Sequence, residues 1–195
     1  MPRLFFGGSF NPIHHGHLLC ARAAAETLGY SRVSLIPAGQ APHKAASANV
    51  ADAGHRLAMV VKSVAGDPLF DVCDIEISRA GPSYTIDTAR RLIASGEKEV
   101  HWLIGADMLL YLPRWHLPDD LLREVNFIII ARPGWSLDWN MMPPAFQKLQ
   151  KNVVEVPLIA ISSTDIRARV AGGKTIRYMT PDAVCDYIAE NRLYR

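Results

Sequence analysis

The chain has few cysteines, no long apolar run and no concentrated block of charge, and these shortages exclude several classes of protein. Its 195 residues contain three cysteines, Cys20, Cys73 and Cys185, which is an odd number. Because they lie far apart and form no C-x-x-C pair, they predict no disulfide framework. We expect reduced thiols in a cytoplasmic protein.

Membrane insertion and secretion find no support in the sequence. No run approaches the roughly 20 apolar residues that a transmembrane helix needs. The amino-terminal residues Met1–Leu4 pass directly into a strand-like run and lack the apolar core of a signal peptide. The formal net charge is +2 and no block of lysine and arginine stands out, which argues neither for nor against nucleic acid. We expect neither a nucleic-acid nor a membrane partner. Nothing in the pattern indicates an oligomeric state.

What the chain does have is the composition of an ordinary globular domain. Hydrophobic residues make up 49% of it and charged residues 21%, which favours one domain over residues 1–195. Strand-like runs alternate with helical patterns, which predicts an α/β fold with a parallel sheet and right-handed crossovers. The predicted strands are 4–6, 32–36, 70–77, 100–104, 127–130 and 153–156.

The most informative stretch is Gly7–His17, GGSFNPIHHGH, which lies between the first predicted strand and the first predicted helix, from about His17 to Leu28. Gly7 and Gly8 are expected to turn the chain sharply and to leave no side chain between the backbone and a ligand. The helix start is expected to present unpaired N–H groups and the positive end of its dipole, which together bind anions.

His14 and His17 are three residues apart, so both are expected on one face of the first helical turn. Such a pair can bind a phosphate group or a zinc ion. No third cysteine, histidine or carboxylate stands at a recognisable ligand spacing nearby, so we favour phosphate and predict no metal site in the protein.

A second candidate site begins at Ile161–Arg167, ISSTDIR, which opens a later helix. Ser162 and Asp165 fit a capping box, which is a purely structural role. The hydroxyl and N–H groups of this helix start, with an arginine one turn inside, also suit a polyphosphate. By contrast, Gly173-Lys174-Thr175 imitates the end of a P-loop, but Ala168 stands at the required first glycine and no strand precedes it, so we reject that reading.

Two further stretches carry candidate ligand groups. Gly105 and Asp107 follow a buried type of strand, at the place where open α/β sheets bind ribose. The long loop 38–53 holds His43 and Lys44 on a turn stiffened by proline. This pattern is about equally typical of a functional loop and of a solvated loop with incidental charge.

The two motifs carry a resemblance to a known family. Gly8–Pro12 followed by His14–His17 resembles the G-[ST]-F-D-P-x-H-x-G-H signature of the nucleotidyltransferase superfamily, with Asn11 where aspartate is commonest. Ile161–Arg167 resembles the second signature, I-S-S-T-x-[IV]-R. Five shorter elements resemble the bacterial nicotinate mononucleotide adenylyltransferases. These elements are 37–44, 82–88, 104–108, 112–115 and 131–134. In the first of them, Ala41 replaces the first proline of the family's P-P-H-K element. This resemblance covers nearly the whole chain and implies a single domain with a Rossmann-like open parallel sheet and helices on both faces.

The resemblance implies adenylyl transfer from ATP to nicotinate mononucleotide, which yields deamido-NAD and pyrophosphate. The implied catalytic residues, which contact the ATP phosphates, are His14, His17 and Arg167. Further implied ATP-binding residues are Gly8, Ser9, Phe10, Gly16, Gly105, Asp107, Ile161, Ser162 and Ser163. The implied nicotinate mononucleotide-binding residues are His43, Lys44, Tyr84, Thr85, Trp115 and His116. Trp115 is expected to stack on the pyridine ring, with core filling as the alternative, and Mg²⁺ is implied as the ion carried by the ATP phosphates.

The residue types suit this chemistry, because the attacking group is a 5′-phosphate that is already ionised at neutral pH. In-line placement and charge neutralisation are needed, whereas a nucleophilic side chain and a strong base are not.

Two alternatives stay open. Phosphopantetheine adenylyltransferases share both signatures but usually carry threonine at the His14 position and lack the Leu112–Trp115 element. A catalytically silent nucleotide-binding regulator is the other alternative. A class I aminoacyl-tRNA synthetase ranks lower, because the chain has no K-M-S-K-S-like loop and no room for an anticodon-binding domain.

Overall fold

A computed structural model describes residues 2–42 and 50–195 of the chain. The strands are β1 (Arg3–Gly8), β2 (Arg32–Pro37), β3 (Phe70–Val72), β4 (Val100–Gly105), β5 (Val125–Ala131) and β6 (Val153–Glu155). The helices are α1 (His15–Leu28), α2 (Ala53–Ser63), α3 (Thr85–Ala94), α4 (Ala106–Leu109), α5 (Pro118–Glu124), α6 (Pro144–Gln147), α7 (Ser163–Ala171) and α8 (Asp182–Glu190). Short 3₁₀ turns occupy Leu112–Arg114, Trp139–Met141 and Lys148–Asn152.

The six strands form one parallel sheet in the order β3-β2-β1-β4-β5-β6. Neighbouring side chains of β1 enter opposite cores: Leu4 and Phe6 pack with helices α1, α2 and α8, whereas Phe5 packs with α3 and α5. This alternation is what a parallel strand covered on both faces requires. The predicted α/β class, the open parallel sheet and the helices on both faces are therefore confirmed.

One predicted strand is wrong over most of its length. The alternating pattern of residues 70–77 predicts a strand, but β3 ends at Val72. Beyond it the carbonyl of Asp74 accepts hydrogen bonds from the N–H groups of Ile77 and Ser78, so the chain forms a turn. The alternation has another origin, because the polar residue Glu76 is itself buried and accepts a hydrogen bond from Thr88.

The strand order reverses between β1 and β4. From β1 the chain crosses to β2 on one side, and from β4 it crosses to β5 on the other. In open α/β sheets this reversal leaves a crevice at the carboxyl ends of the two central strands, where ligands bind. None of the helices in residues 2–42 and 50–195 combines the length and the apolar composition that a membrane span requires.

Candidate active site

A cavity of about 270 Å³ lies at the crevice between the ends of β1 and β4. Its wall is built from the end of β1, the segment after β2, the start of α3, the end of β4 and the segment after α4. The site residues predicted from the sequence that line it are Gly8, Ser9, Tyr84, Thr85, Gly105, Trp115 and His116. The predicted residues His43 and Lys44 lie outside the residues that the structure describes.

The turn in the first motif comes later than the sequence predicts. Gly7 and Gly8 are the last residues of β1 and stand in register with Ile36 and Pro37 of β2. The chain leaves the strand direction at Phe10, whose φ of 44° is in the left-handed region that few non-glycine residues adopt. The expectation that the two glycines make the turn is therefore wrong.

The glycines are needed for space instead. A Cβ atom on Gly7 would overlap the indole ring of Trp102, which lines the cavity. A Cβ atom on Gly8 would lie 2.9 Å from the ring of Phe10, which is buried. Because Gly7 and Gly8 have no side chain, an aromatic ring can pack against the backbone at each of them.

His14 and His17 lie on one face at the start of α1, as their spacing predicts. His14 is the N-cap of the helix, and the two imidazole rings stack with centroids 3.7 Å apart. The Nδ1 atom of His17 accepts a hydrogen bond of 3.3 Å from the backbone N–H of His14. The ring of His17 also lies 6.1 Å from that of Phe6, which borders the cavity.

The environment of His14 keeps its imidazole neutral. The residue is only 6% exposed. Burial, with a smaller contribution from neighbouring His15, lowers the pKa of His14 from 6.5 to about 4. At neutral pH this side chain therefore offers a neutral ring to a ligand.

The second motif reaches the first one directly. Arg167 donates from Nη1 to the carbonyl of Asn11 at 2.8 Å. The hydroxyl of Ser163 donates to the carbonyl of Pro12, also at 2.8 Å. The openings of α1 and α7, which are separated by most of the sequence, thus meet at one turn of the chain.

Ser162 has the structural role that its spacing predicts. It is the N-cap of α7, and its hydroxyl oxygen accepts a hydrogen bond of 3.1 Å from the N–H of Asp165. The neighbouring Ile161 is half-buried and packs against the core under α1.

The carboxyl-terminal part of the chain supports the first motif from the other side. The N–H of His15 donates to the carbonyl of Met179 at 3.0 Å. The hydroxyl of Thr180 donates to the carbonyl of Ile13 at 2.7 Å. The unpaired N–H groups expected in the first turn of α1 therefore do not include that of His15. Gly16 is buried, and a Cβ atom there would lie 3.0 Å from the ring of His14.

The opposite wall of the cavity carries aromatic groups. The rings of Tyr84 and His116 stack with centroids 4.2 Å apart. Trp115 is half-buried, and its ring lies edge-on to Phe127 at 6.4 Å. Thr85 directly follows Tyr84 in the sequence and is the first residue of α3.

The predicted ribose-binding pair stands at the end of β4. Gly105 is the N-cap of α4 and lines the cavity, whereas Asp107 is exposed in the first turn of that short helix. In the part of the chain that the structure describes, no group of three or more histidine, cysteine or acidic residues could hold a metal ion.

Sequence reasoning missed two buried charged residues beside this site. Arg56 and Glu76 are each 4% exposed. The available signal for Arg56 was its position on the buried face of α2, three and four residues before Met59 and Val60. For Glu76 there was no such signal, because its alternating neighbours indicated a strand.

Comparison with known proteins gives consistent matches over the chain. The family described as cytidylyltransferase-like matches residues 5–169. A protein of Herpetosiphon aurantiacus, named "Probable nicotinate-nucleotide adenylyltransferase", is 42% identical over 191 residues, which is 96% of each chain. A protein of the same name from Geobacillus thermodenitrificans is 43% identical over 190 residues, which covers 97% of this chain and 84% of its own.

Solved structures share the fold at lower sequence identity. The Plasmodium falciparum nicotinic acid mononucleotide adenylyltransferase complexed with NaAD has a TM-score of 0.70 and 19% identity. The same enzyme complexed with APC has a TM-score of 0.71 and 18% identity. Each match covers 98% of this chain and 96% of the other.

Proposed function

The chain belongs to the cytidylyltransferase-like family, and we propose that it transfers the adenylyl group of ATP to nicotinate mononucleotide, forming deamido-NAD and pyrophosphate. Relatives named for this activity are 42–43% identical over nearly the whole chain. The observation that carries the proposal is that the openings of α1 and α7 meet at Asn11 and Pro12. These residues closely follow Ser9, which lines the cavity at the reversal of the strand order.

The reaction needs in-line placement of two phosphates and neutralisation of their charge. An oxygen of the acceptor's 5′-phosphate attacks the α-phosphorus of ATP, and the bond from that phosphorus to the β-phosphate oxygen breaks. Pyrophosphate leaves with the bonding electron pair. No proton has to be removed from the nucleophile, so hydrogen-bond donors that stabilise the spreading negative charge supply the catalysis.

The proposed triphosphate site uses the two helix openings. His14 and His17 would contact the phosphates from α1, with His17 nearest the reacting centre, while Ser163 and Arg167 would hold the β- and γ-phosphates. A guanidinium has five N–H donors, and its bonds to Asn11 and Thr164 use two of them. Arg167 can therefore hold the turn and a phosphate together.

Of the remaining proposed ATP contacts, Gly8, Ser9 and Gly105 line the cavity. The backbone at Gly8, Ser9 and Phe10 would run along the nucleotide, and Gly105 with Asp107 would contact the ribose. Gly16, whose missing side chain leaves room for the His14 ring, would lie close to the adenosine, with Ile161 and Ser162 beside it.

Mg²⁺ fits this site as a companion of ATP. The ion prefers oxygen ligands, keeps several waters and commonly binds phosphate oxygens, whereas His14, His17 and Arg167 offer only nitrogen donors. The phosphates would therefore carry the ion, and its charge would offset theirs during the transfer.

The aromatic wall would receive the acceptor. Trp115 would stack on the pyridine ring, and Tyr84 would line the same pocket. Backbone N–H groups near Thr85 and His116 would bind the nicotinate carboxylate, since a helix start such as that of α3 favours an anion. His43 and Lys44 are proposed to contact phosphate on the resemblance alone.

The test is the rate of pyrophosphate release from ATP with three acceptors in parallel. Nicotinate mononucleotide should be the best substrate, ahead of nicotinamide mononucleotide and phosphopantetheine. Release only with phosphopantetheine would assign the chain to the alternative enzyme. Binding of ATP without release, whatever the acceptor, would indicate a silent regulator.

Replacing one histidine tests the chemistry within that assay. His17→Ala should lower turnover by about 100-fold or more, which is the typical cost of removing one donor to a developing negative charge. His101→Gln is the matched control, because His101 lies at the amino end of β4 and bonds to Tyr30 at 2.6 Å. Turnover of His17→Ala close to that of the control would contradict the mechanism.

A further inference from the structure

Arg56 is a buried cation whose hydrogen bonds within residues 2–42 and 50–195 all go to backbone carbonyls. Its Nε atom donates to Ala51 at 3.0 Å, Nη1 to Ser9 at 2.9 Å and Nη2 to Gly39 at 2.9 Å. No carboxylate in the described part of the chain forms an ion pair with it. Burial lowers the pKa of Arg56, but an arginine stays protonated in a protein.

The three carbonyls belong to separate segments of the chain, and this guanidinium bonds to all three of them. Ser9 lies in the turn of the first motif and lines the cavity. Gly39 follows β2, and Ala51 precedes α2. Ala51 also donates its N–H to the side-chain oxygen of Asn11 at 3.0 Å. A planar fork with fixed N–H directions can hold three such acceptors at once, whereas a lysine ammonium has no such geometry.

Gly39 continues the connection towards the other wall of the cavity. Its N–H donates to the hydroxyl of Ser83 at 2.9 Å, and the N–H of Ser83 donates to the carbonyl of Gln40 at 2.8 Å. A Cβ atom on Gly39 would overlap the carbonyl oxygen of Glu76, so only glycine allows this close approach.

Glu76 belongs to the same hydrogen-bond network, through Thr88 and Ser83. Its Oε1 atom accepts a hydrogen bond of 2.7 Å from the hydroxyl of Thr88 in α3. Burial raises the pKa of Glu76, and hydrogen bonds from Thr88 and Ser83 oppose that rise. Glu76, Ser83 and Ser9 all line the cavity, so the network runs behind its wall from the first motif to the start of α3.

We propose that Arg56 is a positioning residue for the transfer, which acts through Gly39 and Ser83 to fix the nucleotide-binding turn at Ser9 against the acceptor wall at Tyr84. This inference rests on the proposed function. A step that joins two bound substrates in line depends on their relative placement. The guanidinium sets that placement because it holds the donor side and the acceptor side through one continuous set of hydrogen bonds.

The first test separates kcat from KM. A misplacement of about 1 Å can cost about 100-fold in rate, so Arg56→Lys should lower kcat by about 10- to 100-fold and change both KM values far less. Arg169→Lys is the matched control, because Arg169 also donates to a backbone carbonyl, that of Thr175, at 2.8 Å on the surface of α7. Circular dichroism at the assay temperature establishes that each variant is folded.

The second test asks whether the fork acts through Ser83. Ser83→Ala removes the far end of the connection, so its effect on kcat and that of Arg56→Lys should not multiply in the double variant. Arg169→Lys combined with Ser83→Ala should show independent effects. Ethylguanidinium should partly restore kcat of Arg56→Ala, and ethylammonium should not.

The outcomes are distinguishable. If Arg56→Lys keeps the kcat of the wild type, or if its effect multiplies with that of Ser83→Ala, the positioning role is refuted while the proposed function stands. If Arg56→Lys does not fold, Ser83→Ala alone must lower kcat, and an unchanged kcat refutes the role. Failure of the wild type to release pyrophosphate with nicotinate mononucleotide refutes the proposed function itself.

Discussion

Lowering the pH should destabilise the folded protein through a single buried side chain, His14. Burial and the neighbouring His15 hold its pKa at about 4 in the folded state, against 6.5 when it is freely solvated. As the pH falls below 6.5 the unfolded chain takes up this proton while the folded chain does not. The free energy of unfolding therefore falls with the pH through this window and levels off below the folded pKa.

The magnitude follows from the two pKa values. Between about pH 7 and about pH 4.5 the contribution of this group changes by about 2.4 kcal/mol, at 1.36 kcal/mol for each unit of pKa difference. Against a total stability of about 5–15 kcal/mol, such a loss is easily measured.

Urea unfolding of the wild type and of His14→Asn at the two pH values isolates this contribution. Asparagine is a good N-cap residue, so the variant keeps the start of α1. The free energy of unfolding of His14→Asn should fall by about 2 kcal/mol less than that of the wild type over the same pH range. Equal losses in the two proteins would refute the reasoning.

The remaining predictions concern packing around the first motif. Gly7→Ala should cost about 1–3 kcal/mol of unfolding free energy, because the new Cβ overlaps Trp102. Gly54→Ala is the control, because a Cβ atom there meets nothing within 4 Å. It should leave stability unchanged or raise it by up to about 1 kcal/mol. Similar urea curves for Gly7→Ala and Gly54→Ala would contradict this account. Tyr194→Phe should cost about 1 kcal/mol, because the Tyr194 hydroxyl donates to the side-chain oxygen of Asn11 at 2.8 Å. An unchanged thermal midpoint would show that this bond adds nothing to stability.

Much of the fold could be predicted because the local patterns are strong. Phe127–Ile130 is continuously apolar, as expected of a central parallel strand, and lies within β5. Ser162 with Asp165 marks the start of α7 by its spacing alone. The failures occur where a distant partner decides the local structure. Gly7 lies within β1 and the ring of Trp102 packs against it. Glu76 is buried and accepts a hydrogen bond from Thr88, which lies 12 residues later.

The candidate site shows the same division. The two motifs were visible because each is a short pattern at a helix start. Their meeting was not visible, since Arg167 and Asn11 are 156 residues apart in sequence. Arg56 was missed for the same reason: an arginine in an amphipathic helix is typical of a solvated face, and its partner Ser9 lies 47 residues away.

A crystal structure with a non-hydrolysable ATP analogue and nicotinate mononucleotide tests the central claim most directly. We expect one triphosphate within hydrogen-bond distance of both the imidazole of His17 and the guanidinium of Arg167, with the pyridine ring in the cavity beside Trp115. A triphosphate bound elsewhere, or held by only one of the two helix starts, would contradict the claim that α1 and α7 build a single site.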